Sequence, residues 1–220
     1  MLRSMPGRNG DDDAGVETVP FQGLIRFERQ LPVRQVSYYI SGELQAPQYY
    51  TELFYTLRTA SDTDLIYLHL NSPGGDFNTG LQIINNIAAS DAKVMTVLEA
   101  RAYSMAAMVF LSGDELYVHD NCQLMFHTYS GVFSGKGNEQ QAEVAAVGKW
   151  FEKVMRRICS PFLSESEVDS IIKGADFWMD SDEIRHRLAR LRHPQAPAPA
   201  TAPVSKRAAA RPAARKRSKA

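Results

Sequence analysis

Cysteine is almost absent from this chain of 220 residues, which has only Cys122 and Cys159. Two thiols cannot build a disulfide framework, so a reducing, cytoplasmic setting is expected, with both thiols buried and inert. The five histidines do not cluster with cysteines or carboxylates at ligand spacing, so neither a metal nor another cofactor is expected. No apolar stretch approaches the roughly 20 residues of a membrane span. Residues 1–15 carry Asp11-Asp12-Asp13 instead of the apolar core of a secretory signal, so neither export nor a membrane role is expected. A Gly-x-x-x-x-Gly-Lys-Ser/Thr phosphate loop is missing as well, which removes the usual device for gripping a nucleoside triphosphate.

Acidic residues stop early. After His193 there is none, and seven bases follow: Lys206, Arg207, Arg211, Arg215, Lys216, Arg217 and Lys219. The zero net charge therefore hides a body in which 25 acids face 18 bases. Three segments are expected: a flexible arm at 1–20, a folded domain at 21–193, and a disordered Ala/Pro/Lys/Arg tail at 194–220 that cannot bury a core. The plainest role for the tail is a solubilising spacer. The sharper one is weak contact with DNA or another polyanion, because clustered bases release counterions from phosphates.

The chain as a whole is 44% hydrophobic, enough for one domain with a real core. Strands are expected at 36–40, 65–70, 94–98, 115–118 and 123–126. Helices are expected at 48–59, 77–89, 104–111, 139–160, 165–173 and 181–191. The 65–70 run, Leu-Ile-Tyr-Leu-His-Leu, is apolar through most of its length and reads as buried on both faces. Along 139–160, Val144, Val147, Phe151, Val154 and Met155 form a stripe at spacings of three and four, which must be buried against something. Alternating strands and helices argue for an α/β fold with a mostly parallel sheet.

The chemistry concentrates at three places. Ser72-Pro73-Gly74-Gly75 follows the 65–70 strand, and two glycines let backbone N–H groups approach a ligand unscreened. Ser104 follows a strand and opens the apolar helix Met105-Ala106-Ala107-Met108-Val109-Phe110-Leu111. A serine there is most often a plain N-cap. With the N–H groups of Gly75 and Met105 aimed at a developing oxyanion, it also fits a nucleophile. His127 ends the last of the short strands. A lone histidine is usually structural, yet imidazole is the base a serine hydroxyl needs. Asp176, before Phe177-Trp178, is either a helix-end cap or the group that orients the imidazole.

Leu70-Asn71-Ser72-Pro73-Gly74-Gly75, Tyr103-Ser104-Met105-Ala106 and Met125-Phe126-His127 together resemble the proteolytic subunit of the Clp protease, over about residues 34–185. The order Ser, His, Asp is that family's, and the spacings of 23 and 49 residues are close to its own. The resemblance implies a crotonase-like superhelix of ββα units with a protruding handle helix, here 139–160. It implies a serine endopeptidase with Ser104, His127 and Asp176 catalytic, Gly75 and Met105 forming the oxyanion hole, and Gly74 and Tyr103 against the substrate. It further implies homo-oligomeric rings around a chamber, protein substrates and an ATP-dependent unfoldase partner.

The chain departs from the family at several points. Ala100 and Ala106 stand where the family has glycine, and Tyr103 where it has alanine. Thr128-Tyr129 replaces Gln-Pro, and Ile184-Arg185-His186-Arg187-Leu188 replaces the usual Gly-Leu-(Ile/Val)-Asp. Tyr103 is expected to narrow or reshape the pocket. Three other readings stay open: a ring subunit without activity, a phage head-maturation protease, and an acyl-CoA enzyme of the crotonase fold.

Overall fold

The computed structural model describes residues 33–192. The expectations for the arm at 1–20, for residues 21–32 and 193 of the domain, and for the tail at 194–220 lie outside those residues. The described chain runs β1 (Gln35–Ser41), a 3-10 turn (Pro47–Tyr50), α1 (Thr51–Thr59), β2 (Leu65–Ser72), α2 (Phe77–Ile87), β3 (Lys93–Tyr103), α3 (Met105–Leu111), β4 (Glu115–Val118), β5 (Gln123–Phe126), α4 (Gly137–Cys159), α5 (Glu165–Ile172), β6 (Phe177–Asp180) and α6 (Ser181–Arg192). The sheet has the order β1-β2-β3-β5-β6, with β4 also on β3. The pairs β1–β2, β2–β3, β3–β4 and β3–β5 are parallel, and β5–β6 is antiparallel.

β3 organises the sheet. Its first half pairs with β4 through Met95–Leu98, and its end pairs with β5 through Arg101–Tyr103. The expected strand at 94–98 therefore continues to Tyr103, across Glu99-Ala100-Arg101, whose polar residues hid the extension. Val94 to Leu98 are all buried, so β3 is the strand covered on both faces. β2 corrects an expectation: Ile66, Leu68 and Leu70 are fully buried, but Leu65, Tyr67 and His69 are only half-buried. Its second face carries Tyr39 stacked on His69 at 4.4 Å, a half-polar surface whose aromatic rings made the run look uniformly apolar.

Helices begin where the sequence supplies a cap. Asp76 accepts from the Thr79 N–H at 2.7 Å to start α2. Ser164 and Glu167 form a reciprocal capping box on α5. Pro47 stands at the head of the 3-10 turn, which takes the first positions of the helix expected from Gln48. The stripe on α4 divides: Phe151, Val154 and Met155 join the core, whereas Val144 is exposed and Val147 half-buried. The first half of α4 thus keeps part of its apolar face, with Trp150, outside the core.

Candidate active site

Ser104 occupies the turn from β3 into α3 with φ 56° and ψ −125°, the one non-glycine residue at positive φ among the described residues. A bulky neighbour cannot hold a serine there, and the chain removes it: a Cβ on Gly74 would lie 2.7 Å from the Tyr103 carbonyl and 2.8 Å from the Ser104 Cβ. Gly74 itself is at φ 94°, where a side chain is strained in any case. The buried Ser72 hydroxyl accepts from the Gly74 N–H at 3.1 Å and fixes this turn. The Ser104 N–H donates to the Met125 carbonyl at 2.8 Å, tying the turn to β5. Ser104 makes no side-chain cap, so the plain N-cap use of a serine is not what holds α3.

Gly75 is fixed from the other side. The Leu44 N–H donates to Gly74 at 2.7 Å, and the Leu44 carbonyl accepts from Asp76 at 2.9 Å. This is a parallel bridge centred on Gly75, which leaves the N–H of Gly75 turned away from Leu44. Any side chain at 75 would strike Leu44, its Cβ lying 2.5 Å from the Leu44 carbonyl oxygen. Met105 is held by α2, where Gly80 leaves room for it: a Cβ on Gly80 would sit 2.2 Å from the Met105 Cγ.

One cavity collects Gly75, Ser104, Met105 and His127 along its polar side. Its apolar side is Phe77, Met108, Phe126, Tyr129, Phe151 and Met155, with Ser130 at the margin. Position, not contact, brings in Asp176. The antiparallel register ends on the pair Phe126 and Phe177, and His127 and Asp176 are the chain neighbours of those two residues just beyond it. Asp176 is exposed and does not line the cavity. Among the described residues no hydrogen bond joins the Ser104 hydroxyl, the His127 ring and the Asp176 carboxylate.

Of the residues expected against a substrate, Gly74 sits behind Ser104 and does not line the cavity. Tyr103 does not line it either. Its ring meets Trp178 edge-on at 5.2 Å, and its hydroxyl donates to Gln123 at 2.7 Å, because alternate residues of β3 face opposite sides of the sheet. The sequence reading missed the apolar lining. Tyr129 stands two residues after His127, and Phe151 and Met155 share one α4 face at a spacing of four, but no local signal ties them to Ser104. Neither thiol competes as a nucleophile: burial pushes Cys159 up to about 12 and also raises Cys122, whose S–H donates to the Leu98 carbonyl at 2.9 Å.

No described helix is long and apolar enough to cross a membrane. The family model described as Clp protease matches residues 29–186. A protein of Streptococcus uberis named "ATP-dependent Clp protease proteolytic subunit" is 30% identical over 134 residues, which is 58% of this chain and 67% of the relative. Proteins of the same name from Lactococcus lactis subsp. cremoris and Streptococcus mutans are 29% and 28% identical, covering 58% of this chain and 66% and 67% of their own lengths. The chain thus spans about two thirds of the length of these relatives.

Proposed function

The chain belongs to the Clp protease family and has its crotonase-like α/β fold, and on that footing we propose that it is a serine endopeptidase with Ser104 as its nucleophile. One observation carries the reading: a serine held at φ 56° on a strand-to-helix turn, against a glycine that alone leaves room for it. A backbone conformation this unfavourable, at a cost of roughly 1–3 kcal/mol, persists where function requires it, and a strained strand–turn–helix serine presents its hydroxyl outward.

In this reading the Ser104 Oγ attacks the scissile carbonyl and the His127 imidazole takes its proton. The N–H groups of Gly75 and Met105 receive the charge that develops on the carbonyl oxygen. His127 then passes its proton to the departing amine, leaving an acyl group on Ser104, and water repeats the sequence to release it. Asp176, across the β5–β6 ribbon from His127, orients the ring. The hydroxyl, imidazole and carboxylate close on one another when substrate binds, as catalytic hydrogen bonds commonly do. The proposal extends to homo-oligomeric rings, with the exposed Val144, half-buried Val147 and exposed Trp150 of α4 facing another subunit. It extends further to protein substrates delivered by an ATP-dependent unfoldase, in keeping with the words ATP-dependent and protease in the relatives' names.

One observation favours a second reading, an assembly subunit without hydrolytic activity: Asp176 is exposed and the three groups are not bonded to one another. A single experiment separates the two. The native particle is treated with a fluorophosphonate probe, mapped by mass spectrometry and assayed on a fluorogenic peptide. The endopeptidase labels at Ser104 and turns over peptide, and Ser104→Ala loses both while keeping its assembly. Absence of label and turnover in the wild-type particle selects the second reading.

A further inference from the structure

The cavity beside Ser104 measures about 70 Å3. That is about half of the roughly 150 Å3 that takes up a benzene ring inside a packed protein. No Asp, Glu, Lys or Arg lines it. A charged side chain entering it would lose water and gain no counter-charge. A short aliphatic side chain fits, and an aromatic ring does not.

Most of the apolar wall is also core. Met108, Phe126, Phe151 and Met155 are each at most 5% exposed, so their positions are set by packing throughout the domain. Tyr129 is different: it is half-buried and sits on the segment between β5 and α4. Its hydroxyl donates to the Val144 carbonyl at 3.4 Å, and its ring lies 5.4 Å from that of Phe151. The hydroxyl lies over Gly148 of α4, where an added Cβ would be in ordinary van der Waals contact with it at 3.5 Å. Tyr129 is therefore a wall clamped from α4; it and the half-buried Phe77 are the two apolar walls outside the buried core, and of these Tyr129 follows His127 by two residues.

We propose that Tyr129 determines the specificity of this site: it closes the pocket beside Ser104 so that the residue supplying the attacked carbonyl must be short and aliphatic, and aromatic residues are refused. The inference rests on the endopeptidase reading above. Three fluorogenic peptides differing only at that residue, as Ala, Leu or Phe, test it on the full-length native particle. The wild-type protein should favour Leu over Phe in kcat/KM by about tenfold or more, the size of effect one or two misfitting carbons produce. Tyr129→Ala should raise the Phe-to-Leu ratio about tenfold, while Tyr129→Phe, which keeps the ring, leaves it unchanged. Tyr129→Leu removes the ring but still covers the apolar wall, and should move the ratio in the same direction as Tyr129→Ala if the latter does not fold. A structural role alone would lower all three peptides together. An unchanged ratio in an active Ala or Leu variant, or a wild-type protein that cleaves Phe as well as Leu, overturns the assignment of Tyr129 and leaves the endopeptidase intact. No turnover and no fluorophosphonate label overturn both.

Discussion

Replacing Ser104 by glycine should stabilise the protein relative to replacing it by alanine. Both variants lose the hydroxyl, so the comparison isolates the backbone. At φ 56° and ψ −125° a residue with a Cβ is strained by roughly 1–3 kcal/mol, and glycine is not. Glycine gains freedom in the unfolded chain, which offsets about 0.5–1 kcal/mol of that relief. The net expectation is that Ser104→Gly exceeds Ser104→Ala by about 1 kcal/mol. For a domain of this size that is a Tm higher by about 2–4 °C. Thermal unfolding followed by circular dichroism, at one matched protein concentration because assembly also shifts Tm, gives the difference directly. Neither variant should accept the fluorophosphonate. An alanine variant as stable as the glycine variant, or more stable, would mean that no strain is stored at this turn, and the main support for Ser104 as nucleophile would go with it.

His127→Ala should reduce peptide turnover about as far as Ser104→Ala, because nucleophile and base act as a unit. Asp176→Asn should lose as much or less, and a wild-type rate in that variant would remove Asp176 from the proposed mechanism. Gly74→Ala, placing a Cβ 2.7 Å from the Tyr103 carbonyl at φ 94°, should lower both the Tm and fluorophosphonate labelling. If labelling is unaffected, the Gly74 turn does not position Ser104. Arg187 pairs with Glu167 at 2.7 Å and is the main reason the Glu167 carboxyl is held at about 2, below its ordinary 4.5. A depressed carboxyl stabilises the fold above its unfolded value and loses that contribution as pH falls from about 4.5 to about 2. Urea midpoints should therefore fall more steeply over that window for the wild-type chain than for Glu167→Gln, and parallel curves would refute the pairing.

Ser104 and the Gly74-Gly75 turn were legible because each sits where one periodicity ends and another begins, and such junctions show in composition. The strand β6 was not: Phe177–Asp180 runs without a break into α6 at Ser181, so no turn residue marks it off, and only pairing with β5 makes it a strand. The extension of β3 was hidden by Glu99 and Arg101, polar residues on strand positions left open where β4 ends and β5 begins. The apolar side of the cavity was illegible for a different reason. Phe77, Met108, Tyr129 and Phe151 meet only through the tertiary fold, and each taken alone looks like ordinary core. Tyr103 misled through its neighbour: being next to Ser104 in sequence puts its side chain on the opposite face of the sheet.

The β5–β6 ribbon joins β3 through just three register pairs, Arg101 with Gln123, Ala102 with Leu124 and Tyr103 with Met125, extended by the bond from the Ser104 N–H to Met125. His127 and Asp176 ride on that ribbon together, while Ser104, Gly75 and Met105 belong to the block on the other side of this short seam. The two halves of the constellation therefore share a single degree of alignment. A slip of one residue along the seam would carry the imidazole about 3.3 Å and turn alternate side chains to the wrong face. Moving the ribbon as a unit would take the imidazole and carboxylate away from the hydroxyl, break the bond from the Ser104 N–H to Met125 and draw Phe126 out of the cavity wall, so the seating of the ribbon sets both halves of the site at once.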